Sequence, residues 1–123
     1  MDLRKTVLIV DDSRVSRMMA RQYILSLHAD WSVEEAGTGE EAILKANAFT
    51  PDLVLMDVNM PGMGGIAAAE SLRKTFPLTP ISLLTANVQT ATRERAAALG
   101  IGFMEKPITE ARIAQLILPL EEA

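Results

Sequence analysis

Short apolar runs alternate with helix-patterned segments five times along this chain, and no other feature narrows the choice of fold so far. Residues 53–57, Leu-Val-Leu-Met-Asp, are the plainest run. Four apolar residues lead straight into a carboxylate, with Pro61, Gly62, Gly64 and Gly65 close behind. An uninterrupted apolar run marks a strand covered on both faces, as in a parallel sheet between helices. Proline removes a backbone donor and glycine frees the backbone, so the chain turns after Asp57. Residues 7–10 and 81–85 read the same way. Residues 33–36 are a weaker strand whose two glutamates suit a sheet edge, and 101–104 make a short fifth strand.

The intervening segments carry helix signals. Ser13 or Asp12 caps the first helix, with Val15, Met18, Met19 and Leu25 at helical spacing. Thr38-x-x-Glu41 has the form of a capping box for the second, whose apolar face is Ala42, Ile43, Ala46 and Phe49; Thr50-Pro51 ends it. Residues 66–75 form the third, with Ile66, Ala69 and Leu72 in phase. The fourth begins between Asn87 and Thr92 and stops at Gly100. The last runs from about Thr109 on a stripe of Ile113, Leu116 and Ile117. Alternation at this spacing demands right-handed crossovers and a parallel sheet with helices on both faces. The expected fold is α/β, a single doubly wound (βα)5 domain over residues 1–123.

Composition removes several functions. A net charge of −4 argues against direct binding of nucleic acid, which needs clustered Lys and Arg. Without cysteine there are no disulfides, thiolate metal sites or thiol nucleophiles. Apolar runs of four to six residues are too short for membrane insertion, and residues 1–6 lack the form of a signal peptide. The expected setting is cytoplasmic.

In a parallel sheet all carboxyl ends of the strands point one way, toward the side where open α/β sheets bind ligands. The first strand delivers Asp11 and Asp12, the third Asp57, the fourth Thr85, and the fifth hands over to Lys106. If the first and third strands are neighbours, three carboxylates share one crevice. Unit charges about 4 Å apart repel by roughly 4 kcal/mol at an effective dielectric of 20, so the cluster calls for a cation. Hard oxygen donors suit Mg²⁺, with Mn²⁺ able to substitute; zinc is disfavoured without cysteine and with one remote histidine. A carboxylate beside a metal points to phosphoryl transfer onto Asp57, with Lys106 and Thr85 contacting the transferred oxygens. The nucleophile is already ionised at neutral pH and needs no general base.

Asp11-Asp12, Asp57 with Met60-Pro61 behind it, Thr85-Ala86 and Lys106-Pro107 together resemble the signature of response-regulator receiver domains, over essentially the whole chain. The resemblance implies a flavodoxin-like sheet of strand order 2-1-3-4-5 and a phosphorylation-activated switch of two-component signalling, similar to chemotaxis proteins. It implies that Asp57 is the phosphoacceptor and that Asp12, Asp57 and the backbone carbonyl of Asn59 bind Mg²⁺, with Asp11 acting through water. Thr85 and Phe103 resemble the switch pair, Phe103 standing where many receivers carry tyrosine. Asn59 and Asn87 occupy positions that tune loss of the phosphoryl group, and the Lys106-Pro107 bond is expected to be cis. The implied partners are a histidine kinase or histidine phosphotransfer protein, and a downstream protein meeting the fourth helix, fifth strand and fifth helix. Such a switch is no enzyme beyond its own phosphorylation and dephosphorylation.

The rival reading is a Mg²⁺-dependent phosphohydrolase with an aspartate nucleophile. Such enzymes of the haloacid-dehalogenase type carry a second acid two residues on, where this chain has Asn59. A flavodoxin-like cofactor binder is disfavoured because no phosphate-cradling loop follows the first strand. With no output domain after the last helix, a stand-alone receiver or one excised from a longer regulator is expected. His28 is expected to be inert in its loop, Trp31 to pack locally, and Arg93, Glu94 and Arg95 to form a solvated helix face.

Overall fold

The computed structural model describes residues 4–87 and 89–121; the readings placed on Met1, Asp2 and Leu3 and on Glu122 and Ala123 lie outside the described residues. Strands and helices alternate as β1 (Thr6–Val10), α1 (Arg14–Leu27), β2 (Ser32–Ala36), α2 (Gly39–Phe49), β3 (Leu53–Asp57), α3 (Gly64–Thr75), β4 (Ile81–Thr85), α4 (Thr90–Ala98), β5 (Gly102–Glu105) and α5 (Glu110–Glu121). The strands form one parallel sheet in the order β2-β1-β3-β4-β5. The expected five-stranded doubly wound fold, with its implied order, is the one observed. No described helix is long and apolar enough to cross a membrane.

Side chains alternate across a strand, so each central strand feeds two cores. Leu8, Val10, Val54, Met56, Ile81 and Leu83 pack against α2, α3 and α4. Val7, Ile9, Leu53, Leu55 and Leu84 pack against α1 and α5. β3 is buried along its whole length, which explains its unbroken apolar run. Removing a large aliphatic side chain from water is worth about 1.5–3 kcal/mol, so the two faces together hold the sheet between its helices.

Local chemistry sets the helix ends. The Ser13 hydroxyl accepts the Ser16 amide at the start of α1, and the Thr38 hydroxyl accepts the Glu41 amide at the start of α2. After β3 the chain turns through Gly62 and Gly64, both at positive φ. A Cβ on Gly65 would stand 1.9 Å from the Asp57 carbonyl oxygen, so only glycine lets α3 start against the end of β3.

Several expectations of burial do not hold. On α1 the residues facing the sheet are Ala20 and Ile24, whereas Val15, Met18 and Met19 are 60%, 49% and 41% exposed. At 3.6 residues per turn those three lie roughly 100–160° around the helix from Ala20. The helix has two apolar stripes, and the one with small Ala20 permits the closer approach. Phe49 is exposed because α2 seats Gly39, Ala42 and Ala46 instead. On α5, Leu120 joins Ile113 and Ile117 in the core, and Leu116 is only half-buried.

His28 is not isolated. Its ring stacks on Trp31 with centroids 4.0 Å apart, and its Nε2 meets the Glu121 Oε2 at 2.5 Å, clipping the end of α1 to the end of α5. The partner comes from 93 residues away in sequence, beyond the reach of a local reading. The face of α4 is likewise engaged: Arg95 pairs with Glu70 of α3, and the Arg93 guanidinium lies 5.8 Å from the Phe103 ring centroid. Glu94 alone of the three carries neither contact and is exposed.

Candidate functional site

β1 and β3 are hydrogen-bonded neighbours, with Val10 opposite Met56. The residues that follow them therefore emerge side by side. Asp11, Asp12 and Asp57 each offer a carboxylate oxygen, and the three oxygens lie within 4.8 Å of one another. Asp11 and Asp57 are buried and Asp12 is exposed. The three acids predicted to meet do meet.

Lys106 arrives from the far edge of the sheet. Its amide donates to the Thr85 carbonyl at 2.7 Å, prolonging the β4–β5 ladder by one residue. Its Nζ reaches Asp11 Oδ2 at 3.1 Å and Asp57 Oδ1 at 3.4 Å. The Lys106–Pro107 peptide is cis.

Asp11 is held from several directions. Its Oδ1 accepts the Ser13 amide at 2.9 Å, and its main-chain carbonyl accepts from Arg17 Nη1 at 2.6 Å. Arg17 also donates through Nε to Glu35 of β2 at 3.1 Å. Reading the sequence missed Arg17, because a guanidinium aimed at a main-chain carbonyl has no motif; its place one turn beyond the Ser13 cap is the only local hint.

The electrostatics are those of a cluster short of positive charge. Burial raises the Asp57 carboxyl above its ordinary range, and the neighbouring Asp11 charge adds to this. Lys106 and the Asn59 amide, 3.4 Å from Asp57 Oδ1, pull it back only in part. For Lys106, burial works to lower the ammonium, but the hydrogen bond and charge of Asp11, with Asp57 behind them, prevail and raise it. Three carboxylates face one ammonium, all donors are hard oxygens, and one acid opens to solvent. That donor set fits a divalent cation of the Mg²⁺ kind.

Thr85 is buried beside Asp57 at the end of β4, but its hydroxyl is turned back on its own loop. It donates to the Asn87 carbonyl at 3.1 Å and accepts the Asn87 amide at 3.2 Å. Phe103 sits opposite Leu83 on β4, half-buried against the core under α4. Partnered residues in a parallel ladder share a face, so Phe103 lies one diagonal step from Thr85. Asn59 and Asn87 are both exposed at the mouth of the site.

A doubly wound parallel sheet with three acids, a hydroxyl and a lysine gathered at the carboxyl ends of its strands defines a class: an α/β protein with an acidic, cation-fitting site at that edge. The comparisons with known proteins narrow that class. The family model described as the response regulator receiver domain matches residues 7–118, so this chain belongs to the response-regulator receiver family. A protein-glutamate methylesterase/protein-glutamine glutaminase of Methanosarcina acetivorans is 38% identical over 98 residues, covering 80% of this chain. The chain spans only 28% of that relative's length. Among solved structures, the chemotaxis protein CheY4 of Vibrio cholerae superposes with a TM-score of 0.87 at 29% identity, covering 95% of this chain and 98% of that one. A chain of the CheX-CheY-BeF₃-Mg²⁺ complex from Borrelia burgdorferi matches with a TM-score of 0.86 at 25% identity, over 94% of this chain and 88% of that one. The chain is thus a two-component receiver, and the family to which it belongs acts as a signalling switch.

Proposed function

We propose that Asp57 is the phosphoacceptor of this receiver. The observation that carries the reading is the convergence of Asp57 with two further acids and the Lys106 ammonium in one crevice. A phosphohistidine on a histidine kinase or phosphotransfer protein is the donor: its N–P bond breaks as an Asp57 carboxylate oxygen bonds to phosphorus. The freed imidazole then takes a proton from solvent. Both reactants are anionic, so the barrier falls where fixed positive charge meets the developing charge. Lys106 supplies part of it from 3.4 Å. Asp12, Asp57 and the Asn59 carbonyl would hold Mg²⁺, which supplies the rest of the screening when bound. Asp11, whose oxygens already receive the Ser13 amide and Lys106, takes its part through water. The Mg²⁺ in the Borrelia CheX-CheY complex supports the same ion here.

Phosphorylation then biases a two-state element. Thr85 exchanges its Asn87 contact for a phosphoryl oxygen, and Phe103 follows inward, altering the surface of α4, β5 and α5 where a downstream protein binds. Asn59 and Asn87 set how fast water removes the phosphoryl group. In this reading the chain catalyses its own phosphorylation and dephosphorylation, is assigned over residues 1–123 to one receiver domain, and acts in the cytoplasm. Incubation with acetyl phosphate and Mg²⁺ followed by intact mass tests the assignment. The wild type gains one phosphoryl group, and Asp57→Ala gains none; a gain in Asp57→Ala would place the acceptor elsewhere.

A further inference from the structure

β5 is an edge strand and only partly buried, and in the loop that carries Lys106 only Ile108 packs against the core while Glu105 and Pro107 are exposed, so packing alone does little to fix it. On its α1 side the loop borders a cavity of about 410 Å³ lined by Ser16, Met19, Ala86, Lys106, Pro107 and Ile108. A lysine whose Nζ must sit within hydrogen-bond reach of two carboxylates needs its main chain held by something else.

The holder is on α5. The Thr109 hydroxyl accepts the Arg112 amide at 3.2 Å, which places Arg112 in the first turn. From there Arg112 Nη1 donates to the carbonyl of Glu105 and to that of Pro107, the latter at 2.9 Å. Those two carbonyls bracket Lys106 in sequence. A single guanidinium thus closes the loop around the lysine from behind, while the Lys106 amide is pinned in front by the Thr85 carbonyl. Both bonds come from the one Nη1 amino group, whose two hydrogens are fixed in the guanidinium plane and so point at two acceptors at once.

We propose that Arg112 is a positioning residue for Lys106, and that through it the first turn of α5 is mechanically joined to the phosphoryl site. The assignment rests on the reading of Lys106 as the residue that meets the transferred phosphoryl group. It makes α5 part of the catalytic geometry: whatever displaces Arg112 from the two carbonyls also loosens Lys106.

Two readouts separate this from a merely structural role. The first needs no phosphoryl chemistry. In Arg112→Met, which keeps the stem and loses the donors, hydrogen exchange at the Lys106 amide accelerates while amides of β3 such as Leu55 keep their protection. The second is the rate of phosphorylation by acetyl phosphate at saturating Mg²⁺. Arg112→Met slows it on the order of tenfold, the scale expected when a reacting group is misplaced by a fraction of an ångström. The same substitution in a Lys106→Ala background slows it no further. Arg112→Lys, which preserves charge, restores part of the rate and serves as the test variant should the methionine protein not fold. Unchanged exchange at Lys106 overturns the proposal, as does an equal slowing with and without Lys106. Should the wild type take up no phosphoryl group, the Asp57 reading fails, and exchange at Lys106 still decides whether Arg112 holds the loop.

Discussion

Asp57 sits where two demands conflict. Burial and the Asp11 charge favour its neutral form, and Lys106 and the Asn59 amide favour the charged one, with the first pair prevailing. A carboxyl whose folded value lies above its ordinary 3.8 binds more protons folded than unfolded between those two values. Stability therefore falls as pH rises through that window, and above it the cost is complete. Lys106 contributes with the other sign: raised in the folded state, it stabilises fully below its ordinary 10.5 and loses that contribution as pH climbs through its folded value. Without divalent cations, Asp57→Asn is accordingly more stable than the wild type at neutral pH. Burial of the charge is the larger part of that cost and repulsion from Asp11 the smaller, with Lys106 and the Asn59 amide offsetting much of both, which leaves a gain on the order of 1 kcal/mol. Urea unfolding in chelator at pH 7.5 and pH 4.5 measures this. The gap narrows at the lower pH, and a wild type more stable than Asp57→Asn at pH 7.5 would contradict the assigned balance.

At the scale of the element, what was legible in the sequence depended on how many faces an element buries. β1, β3 and β4 bury both, so their apolar runs stood out within a residue of their observed bounds. α1 buries one face but carries apolar side chains on two, and of the periodic set Val15, Met18, Met19 and Leu25 only Leu25 packs against the core. Caps at Ser13 and Thr38 were readable because the donor lies three residues from the acceptor. Contacts assembled by topology were not: His28 with Glu121, Arg17 with the Asp11 carbonyl, Arg112 with the Lys106 loop. The β3–α3 turn shows how sharply one position can matter. At Gly65 a Cβ would meet the Asp57 carbonyl oxygen at 1.9 Å and Val58 Cα at 2.9 Å, both main-chain atoms that cannot yield. At Gly64, φ is +77° and nothing lies within 4 Å. Gly64→Ala therefore costs about 1 kcal/mol for the left-handed backbone alone. Gly65→Ala costs roughly 3 kcal/mol or more, since α3 must move off the end of β3. Chemical denaturation of the two variants ranks them, and equal losses would mean that α3 shifts freely.

Across the whole molecule, the site is a consequence of topology. Placing β1 between β2 and β3 sets Asp11 and Asp12 beside Asp57, and parallel strands bring Thr85 and Lys106 to the same edge. The identities of these residues and their strand ends were visible in the chain; their adjacency came from the strand order, which the resemblance to receivers supplied. If the cluster holds the divalent ion proposed for it, ion binding is coupled to the stability of the entire domain, because the unfolded chain has no such arrangement of acids. A ligand that binds only the folded state stabilises it by RT ln(1 + [L]/Kd), about 2.7 kcal/mol at one hundred times Kd. For a domain of this size each kcal/mol moves the midpoint by roughly 3–6 °C, so Mg²⁺ near saturation raises Tm by on the order of 10 °C. General screening of like charges also eases repulsion, but it depends on ionic strength and not on the ion's identity. A NaCl series matched in ionic strength therefore gives the smaller rise. Asp12 is exposed, so Asp12→Asn perturbs folding little while removing an oxygen charge from the cluster. In that variant the Mg²⁺ response contracts toward the NaCl response, whereas an undiminished rise would show that the ion binds somewhere other than between β1 and β3.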